Sequence, residues 1–265
     1  MTNGKLAIAF HTLFMAFLVT PMLVVCLVAF TPEGYLALPI RGLSLRWFWR
    51  LAEYPEFLDA FRISLLIAAA SSVVAVAFAT PAALAIARYR FPGRDALSAF
   101  FLAPLMIPQV VLGIAFLRFF SAIGLSGTMV GLIVSHVVVV FPFAMRMVLA
   151  GATGMDRRIE EAALSLGALR WTIVRRVMLP LVLPGIASGF ALSFIQSFDE
   201  VTMTVFVSSP STVTLPVRLF NYIQDSIDPL VCAVSTVMIL LTVILMIVLD
   251  RLYGLERLFV GETRT

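Results

Sequence analysis

The sequence predicts an all-α, polytopic membrane protein with six transmembrane helices. Of its 265 residues, 61% are hydrophobic and 13% charged, against about 45–50% and about 25% in soluble domains. The mean hydropathy is +1.04. The apolar residues gather into six runs, roughly 7–30, 60–87, 97–119, 129–149, 184–206 and 229–250. Each is close to the ~20 residues a helix needs to cross ~30 Å of hydrocarbon. Lipid cannot satisfy open backbone groups, so each run must be helix or a break covered by protein. A single transmembrane domain is expected over 1–265. It divides into a first helix and outer segment over 1–59, a core over 60–251 that includes a polar loop over 150–183, and a tail over 252–265.

The first run follows Lys5 and extends from Leu6 to Phe30. That is longer than the ~7–15 apolar residues of a signal peptide, and no small-x-small cleavage site closes it. A retained helix is expected. In the segment after it, Arg46-Trp47-Phe48-Trp49-Arg50 mixes basic and aromatic residues, as in a helix anchored at lipid headgroups. The net charge of +4 is dispersed through loops rather than gathered on one face, which argues against a nucleic-acid partner.

The third run holds Gln109 near its middle, flanked by Pro104 and Pro108, which open the helix around it. Two readings stand for Gln109, lining a solute path or packing between helices. His136 in the fourth run reads better as a hydrogen-bonding partner of a neighbouring helix than as a proton relay. In the fifth run Gly189, Ser193, Gln196, Glu200 and Thr204 recur at steps of four, three, four and four, forming one small-and-polar stripe with Asp199 beside it. The stripe suits a path lining. It equally suits close helix packing, with the carboxylates neutralised by Arg62 or Arg118. Glu200 lies about 24 Å along the helix from Pro184, and two adjacent carboxylates there would attract cations. Cys26 and Cys232 sit inside apolar runs, and no metal-binding spacing or disulfide framework is present.

Orientation follows from Lys and Arg. With both termini inside, the inner segments hold thirteen of the nineteen basic residues, Arg257 and Arg264 included, and the outer segments hold six.

The loop over 150–183 is ordered rather than merely polar. Asp156 can cap a helix carrying Glu160 and Glu161 near its start, favourable against the helix dipole. Ile159, Ala163 and Leu166 fall on one face, and Gly167 supplies a left-handed stop. A second short helix follows, apolar at Trp171, Val174 and Met178 and basic at Arg170, Arg175 and Arg176. Pro180 and Pro184 are expected to break the path into the next span.

Within this loop Glu161-Ala162-Ala163 is followed by three residues, Gly167, nine residues, Val177, Met178 and Leu179-Pro180. The pattern resembles the EAA loop of the membrane subunits of ATP-binding cassette importers, departing from it only in Val177 for Ile. Arg88 to Gly93 (RYRFPG), Met106 to Gly113 (MIPQVVLG) and Ser197 to Pro216 are similar to the spermidine/putrescine branch of these permeases, so the resemblance covers about residues 60–255. It implies the type I importer permease fold and a multi-pass protein of the bacterial inner membrane with both termini cytoplasmic. It also implies coupling to an ATPase through Glu160, Glu161, Ala162, Ala163 and Gly167, and a substrate path that includes Ser193, Gln196, Asp199, Glu200 and Gln109. The implied partners are two ATPase subunits, a second and related permease, and an extracytoplasmic solute-binding protein.

The chain has no G-x-x-x-x-G-K-[ST] phosphate loop, so ATP and Mg belong on the partner ATPase and no cofactor is expected here. There is no HExxH or GxSxG either, and no catalytic residue or bound metal is expected. The implied solute is a polyamine or similar organic cation. The alternatives are another small solute (an amino-acid derivative, an opine, a phosphonate) or an ATP-independent secondary transporter.

Overall fold

The computed structural model describes residues 4–253, so Arg257, Arg264 and most of the 252–265 tail lie outside the described residues. Among the described residues all regular structure is helical: α1 (Lys5–Val28), α2 (Arg46–Glu53), α3 (Pro55–Arg88), α4 (Arg94–Leu102), a 3-10 turn (Ala103–Met106), α5 (Gln109–Ile123), α6 (Met129–Thr153), α7 (Arg157–Ser165), α8 (Arg170–Ile173), a π turn (Val174–Met178), α9 (Leu179–Phe198), α10 (Thr204–Val207), α11 (Leu215–Asp225) and α12 (Leu230–Tyr253). Among the described residues five helices are long and apolar enough to cross a membrane, and six if the bent α4–α5 pair forms one span. The chain falls into two compact units, residues up to Asp59 with Arg218–Thr242, and Ala60–Val217 with the chain from Val243 on.

In the smaller unit α1 is exposed over almost all of its length. α2 is amphipathic in the way its Arg-Trp-Phe-Trp-Arg run implies. Trp47 is buried, and the guanidinium groups of Arg46 and Arg50 stack 4.8 and 5.2 Å from its ring centre. Trp49 faces outward. The Tyr222 hydroxyl donates to Asp228 Oδ2 at 2.9 Å. Burial first, and then this carboxylate, push the Tyr222 phenol up to about 12.

The larger unit is built on α3, α6 and the rod Arg170–Phe198. Ala75, Ala79 and Ala83 of α3 meet Val140, Ala144 and Val148 of α6 and Val182 of α9 in one core. Small residues let α6 and α9 touch through their backbones. A Cβ placed on Gly189 would lie 3.2 Å from the Ala144 carbonyl oxygen, and one on Gly185 would lie 3.0 Å from that of Met147.

Two sequence expectations need correction and one is sharpened. The run 97–119 opens just ahead of Gln109, where Pro104 and Pro108 are expected to open it, and α4 with its 3-10 turn meets α5 at 99°. A residue before proline is driven to extended backbone, and Ile107, ahead of Pro108, has φ −93° and ψ 128°. Pro180 and Pro184, by contrast, do not break the fifth run. The second short helix, the π turn and α9 form one continuous rod. The Leu179 N–H donates to Val174 O, five residues back. That wider turn makes room for Pro180, which lacks an N–H and would crowd the carbonyl one α turn behind it. Finally, α9 ends at Phe198, so Glu200 and Thr204 do not continue the helical stripe of Gly189, Ser193 and Gln196.

Candidate functional site

The α7–α8 corner is set by local chemistry. Asp156 Oδ1 accepts from the Arg158 N–H at 2.9 Å and caps α7, as its position implied. At the other end Gly167 has φ +81°. Its N–H donates to Leu164 O at 2.9 Å and that of Ala168 donates to Ala163 O at 3.1 Å. This nested pair closes a Schellman turn, for which a left-handed residue is required. Leu169 then returns to extended backbone and α8 starts.

The corner has two sides. Inward, Arg88 at the end of α3 places Nε 2.7 Å from Glu160 Oε1, with the two side chains only 7% and 21% exposed. Arg88 Nη2 also donates to Met155 O at 3.0 Å, and Arg157 Nη2 donates to Ala87 O at 3.2 Å. Outward, Glu161, Ala162 and Gly167 are exposed, while Ala163 packs against the core. Leu166, Leu169 and Trp171 are 89%, 75% and 71% exposed. The expected apolar face of Ile159, Ala163 and Leu166 is therefore largely unburied by this chain. A cleft of about 260 Å³, lined by Arg88, Arg157, Glu160, Glu161 and Arg170 among others, lies at the corner.

The other end of the rod is differently made. Asp199 closes α9 and is exposed. Glu200 is 3% exposed, and its Oε1 accepts the Met203 N–H at 2.6 Å, fixing the turn that leads into α10. α10 presses on α5, since a Cβ on Gly113 would meet Phe206 Cδ2 at 2.7 Å and Met203 O at 3.1 Å. Ser193 is buried and donates to Val140 O of α6 at 3.3 Å, whereas Gln196 is half-buried. Gln109 begins α5 at the bend and is also half-buried.

His136 joins four elements. Its Nδ1 lies 2.8 Å from Ser197 Oγ and its Nε2 lies 3.0 Å from Thr204 Oγ1. Ser197 Oγ lies 3.0 Å from Ser71 Oγ, which itself donates to Ile67 O at 2.6 Å. With both ring nitrogens engaged and no exposure, His136 ties α3, α6, α9 and α10 together, as a buried polar network does when every member is satisfied.

His136 bonds neighbouring helices as its sequence context implied, whereas sequence reasoning missed Arg88, Arg157 and the Ser71 and Ser197 partners of His136 as members of a site. The one local signal for Arg88 is its place at the very end of a long apolar run.

Comparison with known proteins gives a consistent outcome. Residues 75–255 match the family described as "Binding-protein-dependent transport system inner membrane component". The chain is 33% identical over 247 residues, 93% of its own length and 96% of the relative's, to the spermidine/putrescine transport system permease protein PotC of Haemophilus influenzae. It is 30% identical over 230 residues, 84% and 82% of the two lengths, to the putrescine transport system permease protein PotI of Escherichia coli. Among solved structures it resembles a bacterial ABC transporter involved in import of the acidic polysaccharide alginate, with a TM-score of 0.75, 17% identity and coverage of 94% of this chain and 95% of that one. That likeness supports the fold. The chain belongs to the family of binding-protein-dependent transport system inner membrane components, the multi-pass permease subunits of ABC importers.

Proposed function

We propose that this chain forms half of the translocation path of a polyamine importer, and that the α7–α8 corner couples it to a separate ATPase chain. The observation that carries the coupling role is the exposed knob of Glu161, Ala162, Leu166, Leu169 and Trp171 around the Gly167 turn. Large apolar side chains held out on a rigid polar loop suit insertion into a protein groove. The identity with the spermidine/putrescine and putrescine permeases over most of the chain supports the solute class.

On this reading the knob lies in the cytoplasm with both termini, as the distribution of Lys and Arg favours. ATP and Mg are held by two ATPase subunits. A second permease closes the path, and an extracytoplasmic solute-binding protein delivers the cation to the end of the rod near Asp199. Closure of the ATPase pair moves the corner and, through α6 and α9, the path walls. We assign the polar lining to Gln109, Gln196 and Asp199, which have accessible surface, and place Ser193 and Glu200 behind them as supports. A carboxylate facing the path offsets part of the cost of dehydrating an organic cation.

The test is reconstitution of the chain with its second permease, ATPase and binding protein in proteoliposomes. Spermidine or putrescine delivered by the binding protein should stimulate ATP hydrolysis and accumulate inside. Stimulation by an amino-acid derivative, an opine or a phosphonate instead would keep the importer and replace the solute. Accumulation without ATP would remove the coupling role.

A further inference from the structure

The corner loop is joined by the backbone to α6 on one side and to α8 and α9 on the other. α3 has no such connection, because Arg88 is separated from Met155 by 67 positions and Ala87 from Arg157 by 70. Yet α3 is bound to the loop by a reciprocal grip. Arg88 of α3 holds Glu160 Oε1 at 2.7 Å and the Met155 carbonyl at 3.0 Å, and Arg157 of the loop holds the Ala87 carbonyl at 3.2 Å. The last carbonyls of a helix lack intrahelical partners, so the α3 terminus is open to such a donor. Arg88 pairs by charge with Glu160, while its Nη2 makes the directed hydrogen bond, to the Met155 carbonyl.

We infer that the Arg88–Glu160 pair, with Arg157, is the linkage that carries displacement of the loop into α3, so that α3 moves with α6 and α9 rather than being left behind. This rests on the reading of the corner as the ATPase-facing element. It divides the adjacent glutamates by task, Glu161 to the partner and Glu160 to this chain's own α3. Successive helix positions differ by about 100°, so Glu160 turns to Arg88 while Glu161, at the rim of the same cleft, stays exposed. The linkage also has somewhere to lead. Ser71, whose hydroxyl meets Ser197 beside Asp199, lies on α3 seventeen residues from Arg88 (88 − 71), or about 25 Å along one helix. Arg88, Glu160 and Arg157 are thus positioning residues, acting on the path through α3.

The reconstituted importer tests this by the number of solute molecules moved per ATP hydrolysed. Arg88→Gln should lower that ratio about tenfold with the ATPase subunits still co-purifying, and the exchange Arg88→Glu with Glu160→Arg should recover at least half of it. A wild-type ratio in Arg88→Gln overturns the linkage, and so does an exchange variant that assembles without recovery.

A second measurement does not depend on those variants folding. In a cysteine-free background, Tyr89→Cys, one residue beyond α3, and Leu164→Cys of the loop, which line the same cleft, are joined by a short bifunctional thiol reagent. If loop and α3 travel together, the cross-linked importer keeps transporting. If cross-linking stops transport, they slide past one another and the linkage is refuted. Glu161→Lys separates the two layers of inference. Loss of ATPase association in Glu161→Lys beside a normal ratio in Arg88→Gln removes the linkage alone. Normal association and uptake in Glu161→Lys removes the reading of the corner on which the linkage rests.

Discussion

Glu160 and Glu161, ahead of the Arg170–Phe198 rod, and Asp199 and Glu200, at its far end, are both adjacent acid pairs with one member turned inward and one exposed. The inward members differ. Glu160 meets a guanidinium from another helix, whereas Glu200 accepts a backbone N–H three residues on. The first arrangement ties distant parts of the chain together, and the second only shapes its own turn. Breaking the first should alter how motion passes through the protein. Breaking the second should alter how well one turn holds.

The comparison depends first on the two pairs lying on opposite sides of the membrane. In intact cells, with Cys26 and Cys232 replaced, an impermeant thiol reagent should label Leu43→Cys and Ser211→Cys fully. It should leave Pro92→Cys and Leu169→Cys unlabelled until the membrane is opened. The reverse pattern inverts the assignment of coupling and solute ends.

Next in size is the effect expected at the α7–α8 corner. Gly167→Val forces a β-branched residue to φ +81°, and for L-residues the left-handed region costs about 1–2 kcal/mol. Combined with Glu161→Lys, it should reduce uptake by roughly tenfold or more, since 1.4 kcal/mol corresponds to a factor of ten. Membrane insertion, read by the same labelling, should persist. Near-normal uptake would leave the corner without a coupling role.

Glu200→Ala leaves the Met203 N–H buried without its acceptor. Such a loss costs about 1–3 kcal/mol, to be seen as a lower unfolding temperature of the purified complex in detergent. The variant Asp199→Asn should leave that temperature unchanged and raise the KM for a cationic solute a few-fold. If Glu200→Ala is as stable as the parent while uptake falls, Glu200 rather than Asp199 faces the solute. Should either acid instead pair with Arg62 or Arg118, neutralising that arginine would rescue the acid's neutral variant.

What could be read from the sequence was local. The Asp156 cap, the Gly167 turn and the amphipathic α2 depend on residues within a few positions of one another, and the six apolar runs all recur as membrane-length helices or a bent pair. Prolines were harder. Pro108 breaks a helix while Pro180 and Pro184 do not, because a π turn relieves the first of that second pair. No periodicity announces such a turn. The stripe from Gly189 to Thr204 failed at Phe198, and its upper members are used to seat the rod on α6. Arg88 with Glu160, and His136 with Ser71, Ser197 and Thr204, join residues far apart in the chain. Only the tertiary fold brings them together.

The π turn at Val174–Met178 also decides where this chain can change length. A single π turn holds one residue more than the α turn it replaces and leaves the helix on either side in phase. Losing one residue there would turn the segment into plain α-helix. Trp171 and Gly185 would keep their facings, although Pro180 would lose its relief. Losing one residue between Leu181 and Pro184 has no slack to draw on. It would rotate Gly185 and Gly189 by about 100°, swinging them off α6, where their missing side chains are needed. Within a dozen residues of one continuous rod, the same one-residue deletion is therefore expected to cost only the strain at Pro180 at one point and to unseat the helix at the other, a contrast that uptake by the two deletion variants would read directly.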